Sequence, residues 1–169
     1  MPATRNSSFT PARRYSPVRR QLVLGSLLGV AGGASFAAPA VLPSASSLPD
    51  ELALTLQKGQ PLVVMVSLPG CPYCRAVREQ SLAPMHQHQG LAIVQVDMQS
   101  KQPLKGFDGT MSTHDQVIRA WKVDLAPTLL FFGRKGVEVA ERLVGASLPD
   151  FYGAYLDERL ELARKAVQG

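Results

Sequence analysis

Much of what the chain lacks bears on its function. Outside the first 37 residues it has no excess of either charge: five of the 18 Lys and Arg lie in that leader, which leaves 13 bases against all 13 acids. The formal charge of +5 and a pI near 9.5 therefore describe the leader and not the body, and a basic nucleic-acid surface is excluded. There is no apolar run near the roughly 20 residues that a membrane-spanning helix needs. No phosphate-binding glycine loop or dinucleotide fingerprint is present, so no organic cofactor is implied. Internal repeats are absent, and the leader contains no cysteine that a lipid could modify. What is present is a globular balance, 46% hydrophobic and 18% charged over 169 residues, enough for a single core.

The leader runs from a basic, Ser- and Pro-containing start through the apolar 13-residue run Leu22–Ala34 to Ser-Phe-Ala-Ala-Pro-Ala. That order is the order of a secretory signal peptide over residues 1–37, with cleavage expected after Ala37 or Ala40. Arg19 and Arg20 stand directly before a run diluted by Gly25, Gly29, Gly32 and Gly33, a pattern similar to a twin-arginine export signal. An ordinary secretory signal and an Arg-rich transit peptide are the alternatives, and an uncleaved segment would be a weak membrane anchor. A periplasmic or otherwise exported location follows. Residues 38–49, APAVLPSASSLP, read as a linker, which places the domain at 50–169.

Within the domain, Leu48, Leu52 and Leu56 mark a short amphipathic helix ending near Gly59. Pro61–Leu68 and Leu91–Asp97 are continuously apolar and suit strands covered on both faces. Between them a helix starts at Pro72 and is expected to kink before Pro84. Met98–Met111 reads as a loop, Ser112 or Thr113 as the cap of a helix reaching Trp121, and Thr128–Phe132 with Val137–Leu143 as a hairpin. Ser147 and Asp150 form a capping box for a last helix with Phe151, Tyr155, Leu156, Leu160 and Leu162 along it. The expected architecture is α/β: a mixed sheet with a parallel β-α-β part and an antiparallel hairpin, and helices on both faces.

The only cysteines are Cys71 and Cys74. As a structural staple a bridge across so short a loop contributes about 2 kcal/mol or less. A C-x-x-C between a buried strand and a helix start has a better use. Free N–H groups and the helix dipole at that end favour a thiolate on Cys71, the expected nucleophile. Pro72 needs no N–H in the first turn, Tyr73 completes the turn, and Cys74 is placed to resolve a mixed disulfide formed on Cys71. The redox group is then the Cys71–Cys74 disulfide itself, with no added cofactor. Zinc is not expected: His86 and His88 are too closely spaced for a finger and are read as exposed in a polar loop, and Pro72 stiffens the cysteine pair. Trp121 is read as core, and Arg75 and Arg78 as solvated helix residues.

Three blocks between Pro61 and Leu160 resemble the thioredoxin superfamily. They are the strand leading into Gly70-Cys71-Pro72-Tyr73-Cys74-Arg75, the Ala126-Pro127-Thr128 step into LLFF, and Val144-Gly145-Ala146-Ser147 before the last helix. The resemblance implies a thioredoxin-like fold and a cis Pro127 against the cysteines, with the main chain of Ala126 offered to an extended substrate peptide. It also exposes departures. Met65 stands where thioredoxins carry a buried carboxylate, and Ser67 and Gly70 replace the usual tryptophans. Cys-Pro-Tyr-Cys is shared with glutaredoxins, but the full hairpin and Gly145-Ala146 argue against glutathione as a partner. The expectation is an exported, monomeric thiol:disulfide oxidoreductase reducing protein disulfides, with electrons from a membrane thiol donor. An oxidant, or a non-catalytic binding or copper-shuttling module, is the alternative.

Overall fold

Leu62–Ser67 (β1) and Ile93–Asp97 (β2) form the parallel pair of the sheet in the computed structural model, which describes residues 41–146 and 149–169. The leader with its cleavage sites, residues 38–40 and the Ser147 cap lie outside the described residues. β1 runs parallel to β2 on one side and antiparallel to Thr128–Phe132 (β5) on the other. Glu138–Val144 (β6) closes the sheet in the order β2-β1-β5-β6. This is the mixed sheet that the sequence implied.

The apolar strands bury both faces because successive side chains point to opposite sides. Val63, Met65, Ile93, Leu129 and Phe131 face one cluster with Cys74, Val77, Leu82, Leu156 and Leu160. Leu62, Val64, Val66, Val94, Leu130 and Phe132 face the other, under Leu48 and Leu52 of α1 (Leu48–Gln57) and Val117 and Ile118 of α4 (His114–Ala120). Thr113 caps α4 in a reciprocal box with Gln116. The last helix, α5 (Pro149–Gln168), covers the first face.

Three expectations are corrected. The first concerns the segment read as a linker. Its residues 41–49 belong to the folded body: the Ala45 N–H donates to the Gln95 carbonyl (2.9 Å) and the Gln95 N–H to the Pro43 carbonyl (2.8 Å), so the segment lies along the free edge of β2. Main-chain pairing holds it, which its Ala, Ser and Pro composition does not reveal, and Leu42, Ala45 and Leu48 are buried. His114 fastens it further. Its Nδ1 accepts the Asp97 N–H (3.0 Å), which leaves Nε2 to donate to the Ala45 carbonyl (2.9 Å).

The second correction lies in the Met98–Met111 stretch. It contains β3 (Pro103–Lys105), which pairs with β4 (Met111–Thr113) as a small separate sheet. Phe107 between them packs on Phe132, ring centroids 4.7 Å apart, and Trp121 lies 5.2 Å from the same ring. Gly136 has to be glycine: its φ is +68° and a Cβ there would come within 2.4 Å of Phe107.

Third, His86 and His88 do not lie in a loop, because the helix after the cysteines continues past Pro84. α2 (Pro72–Val77) passes through a wider π turn (Arg78–Leu82) into α3 (Ala83–Gln89), which accommodates the missing N–H and the ring of Pro84. His86 and His88 thus sit on a helix that ends at left-handed Gly90, and the His86 ring bonds the Leu91 carbonyl (2.9 Å). The inward face of α5 is Tyr152, Leu156, Leu160, Ala163 and Val167, while Phe151, Tyr155 and Leu162 are exposed. Two apolar stripes compete in that helix, and contact with β5 and β6 selects one.

Candidate active site at the Cys71 and Cys74 pair

β1 ends at Ser67, and the chain turns through Leu68, Pro69 and Gly70, closed by a bond from the Cys71 N–H to the Leu68 carbonyl (3.1 Å). Gly70 has a φ of +77°, which a side chain would resist. Cys71 then caps α2: its backbone is extended, Pro72 fills the first helical position, and its Sγ accepts the Cys74 N–H at 3.0 Å. The two cysteines form a disulfide, with Cα atoms 5.3 Å apart. Their environments differ. Cys71 is partly exposed and Tyr73 strongly so, whereas Cys74 is 1% exposed and packed into the cluster of Met65 and Phe131.

The Ala126–Pro127 peptide bond is cis. Thr128 pairs with Val66, so Ala126 and Pro127 lie just past that pair, at the end of the sheet where β1 runs into the cysteine turn. The Pro127 carbonyl accepts the Gly145 N–H (2.7 Å), and Ala126 packs against the same cluster as Cys71. The structure thus brings Cys71, Pro72, Tyr73, Cys74, Ala126 and Pro127 to one end of the sheet.

A polar wall beside the pair was not foreseen. Arg78, read from the sequence as solvated, is partly buried. Its Nε donates to Gln95 Oε1 (2.8 Å) and its Nη2 to Ser67 Oγ (3.1 Å), while Gln95 Nε2 donates to Asp97 Oδ1 (2.7 Å). A signal for it exists in the sequence. Positions 71, 75 and 78 share a helix face, Ser67 and Asp97 are paired polar ends of two otherwise apolar strands, and Gln95 lies two residues before Asp97 on the same face. Met65 is fully buried, so this chain places no carboxylate at that position beneath Cys74.

Tyr152 packs in the cluster that contains Cys74, and its hydroxyl has no partner among the described residues. Burial pushes this phenol well above the ordinary tyrosine range. With the folded value above an unfolded value near 10, its contribution is intact below pH 10. It falls as the pH rises past 10, because the unfolded phenol ionises first. Tyr152→Phe is expected to flatten that alkaline decline and to raise stability at pH 7 by about 1 kcal/mol. Urea titrations at pH 7 and 10.5 measure both; a loss at pH 7 would show that the hydroxyl is bonded.

Among the described residues, no group of three or more His, Cys, Asp or Glu is placed to hold a metal ion, and no helix is long and apolar enough to cross a membrane. Sheet order, flanking helices and a dithiol pair capping a helix at the sheet's end together define a thioredoxin-like protein. A family model described as a thioredoxin-like domain matches residues 48–159, and the chain belongs to that family. No curated protein matched the chain. Similar solved structures include a thioredoxin from Fasciola hepatica (20% identity, 71% of this chain and 97% of that one, TM-score 0.47). A thioredoxin from Thermus thermophilus is also similar (20%, 76% and 91%, TM-score 0.47). A third is the periplasmic thioredoxin SoxS from Paracoccus pantotrophus (20%, 62% and 99%, TM-score 0.42). Family and cysteine pair support thiol:disulfide oxidoreductase activity in general.

Proposed function

We propose that this protein is exported and reduces disulfides in other proteins by dithiol exchange at Cys71 and Cys74. The observation that carries the reading is the asymmetry of the pair: Cys71 is reachable from solvent and its sulfur accepts a helix N–H, while Cys74 is buried behind it. In the reduced protein the same N–H favours a Cys71 thiolate, the form that attacks. That thiolate displaces one substrate sulfur, forming a Cys71–substrate disulfide and releasing a substrate thiolate, which takes up a proton. Cys74 loses its proton and attacks Cys71 Sγ. The Cys71–Cys74 disulfide forms, the second substrate sulfur leaves, and the substrate has gained two electrons and two protons. A substrate chain lying extended along Ala126 meets Pro127, which has no N–H to compete for the substrate's carbonyls.

Export rests on the basic, apolar and small-residue order of the leader. A membrane thiol donor regenerates the dithiol, and neither glutathione nor a metal takes part. The test is reduction of insulin by dithiothreitol, which the protein is expected to accelerate; no acceleration beyond a Cys71→Ser control would favour a binding module. Equilibration with a glutathione buffer reads the direction. A potential near about −270 mV fits a reductant, and one near about −120 mV fits an oxidant and overturns the assignment.

A further inference from the structure

Beside Cys71, between α2 and the ends of β1 and β2, lies a cleft of about 340 Å³ whose polar walls are Ser67, Arg75, Arg78, Gln95 and Asp97. We propose that this cleft is a subsite for a carboxylate carried next to the substrate disulfide, with Arg78 as the residue that binds it. The proposal rests on thiol–disulfide exchange at Cys71.

Three observations lead there. The Arg78 guanidinium is held by Gln95 Oε1 and Ser67 Oγ, both neutral acceptors, and it forms no ion pair with a carboxylate of the described residues. Its charge is therefore fixed in place but not neutralised, and most of its five N–H donors remain uncommitted. The one carboxylate on the wall, Asp97, has an oxygen engaged by Gln95 and is outnumbered by Arg75 and Arg78. Finally, Ser67 and Gly70 are small, so nothing fills the space between the guanidinium and Cys71. A disulfide aligned for attack by Cys71 thus has its neighbouring groups at the mouth of a cationic cleft, where a carboxylate finds a pre-positioned fork.

The carboxylate can belong to an acidic side chain flanking a protein cysteine or to a small carboxylated disulfide. Both are tested with the reduced full-length chain by measuring second-order rate constants at low salt. The small disulfides are 3,3′-dithiodipropionate (anionic) and bis(2-hydroxyethyl) disulfide (neutral). The peptide disulfides are identical except for Glu or Gln beside the cysteine. Arg78→Gln is expected to lower the anionic-to-neutral rate ratio about tenfold relative to the unaltered protein. Comparing ratios cancels both the intrinsic reactivity of each disulfide and any change in the Cys71 thiolate. Arg78→Lys is expected to restore part of the ratio, and 1 M salt to erase the preference in the unaltered protein.

A ratio lowered only for the peptides assigns the subsite to protein substrates; one lowered only for the small pair assigns it to small disulfides. An unchanged ratio in both pairs overturns the proposal. If Arg78→Gln does not fold, the salt dependence and Arg78→Lys decide in the same way. Failure to reduce even the neutral disulfide would instead sink the exchange reading on which the subsite rests.

Discussion

Cys74→Ser is expected to halt the reaction at the mixed disulfide, so that the variant accumulates covalently joined to its substrate, whereas Cys71→Ser is expected to form no such adduct and to lose turnover entirely. The difference follows from burial. Cys71 stands at the helix start with its sulfur accepting the Cys74 N–H, while Cys74 is 1% exposed and packed among Met65, Val77 and Phe131. In the proposed exchange a substrate sulfur meets the first, and the second, at a Cα distance of 5.3 Å, releases it. Non-reducing gels and mass spectrometry after mixing reduced variants with oxidised insulin report the adducts. Equal adduct yields from the two variants would contradict the assigned order of attack.

The second large effect concerns the support beneath the site. Phe131 is fully buried on β5, paired with Val63, and belongs to the cluster that joins the sheet to Cys74, Leu82, Leu156 and Leu160. Phe131→Ala removes most of a ring from that cluster and leaves a cavity under the cysteine helix. A loss of about 3–5 kcal/mol is expected, a large share of the roughly 5–15 kcal/mol by which domains are stable. Phe151→Ala is expected to change stability by less than about 0.5 kcal/mol, since that ring is 61% exposed on the outer side of α5. Urea midpoints at unchanged slope measure both; similar losses would show that Phe151 is covered in solution.

The parts of the site legible in the sequence were those carried by local pattern. A run such as Leu62–Ser67 is buried on both faces as a central strand, and Pro72 directly after Cys71 suits the first position of a helix. Ser112 and Thr113 likewise announce a helix cap, and the structure gives the role to Thr113. Arg78 was misread because its partners come from elsewhere: Ser67 lies 11 residues before it and Gln95 lies 17 after it. Nothing in the neighbourhood of Arg78 distinguishes a guanidinium in solvent from one locked against a strand. The small pairing of β3 with β4 was missed for a related reason, since strands of three residues are too short to show a period.

By itself, then, the order of residues determined the apolar strands, the dithiol turn at the head of a helix and the chemistry those two sulfurs can perform, because each depends on neighbours within a few positions. Folding in three dimensions decided the rest. It laid residues 41–47 along the edge of β2, chose which stripe of α5 faces inward and set a neutral clasp around Arg78. Each of those outcomes is a competition between a segment's alternatives, settled by main-chain pairing and burial against partners far away in the chain, and no local pattern encodes the winner.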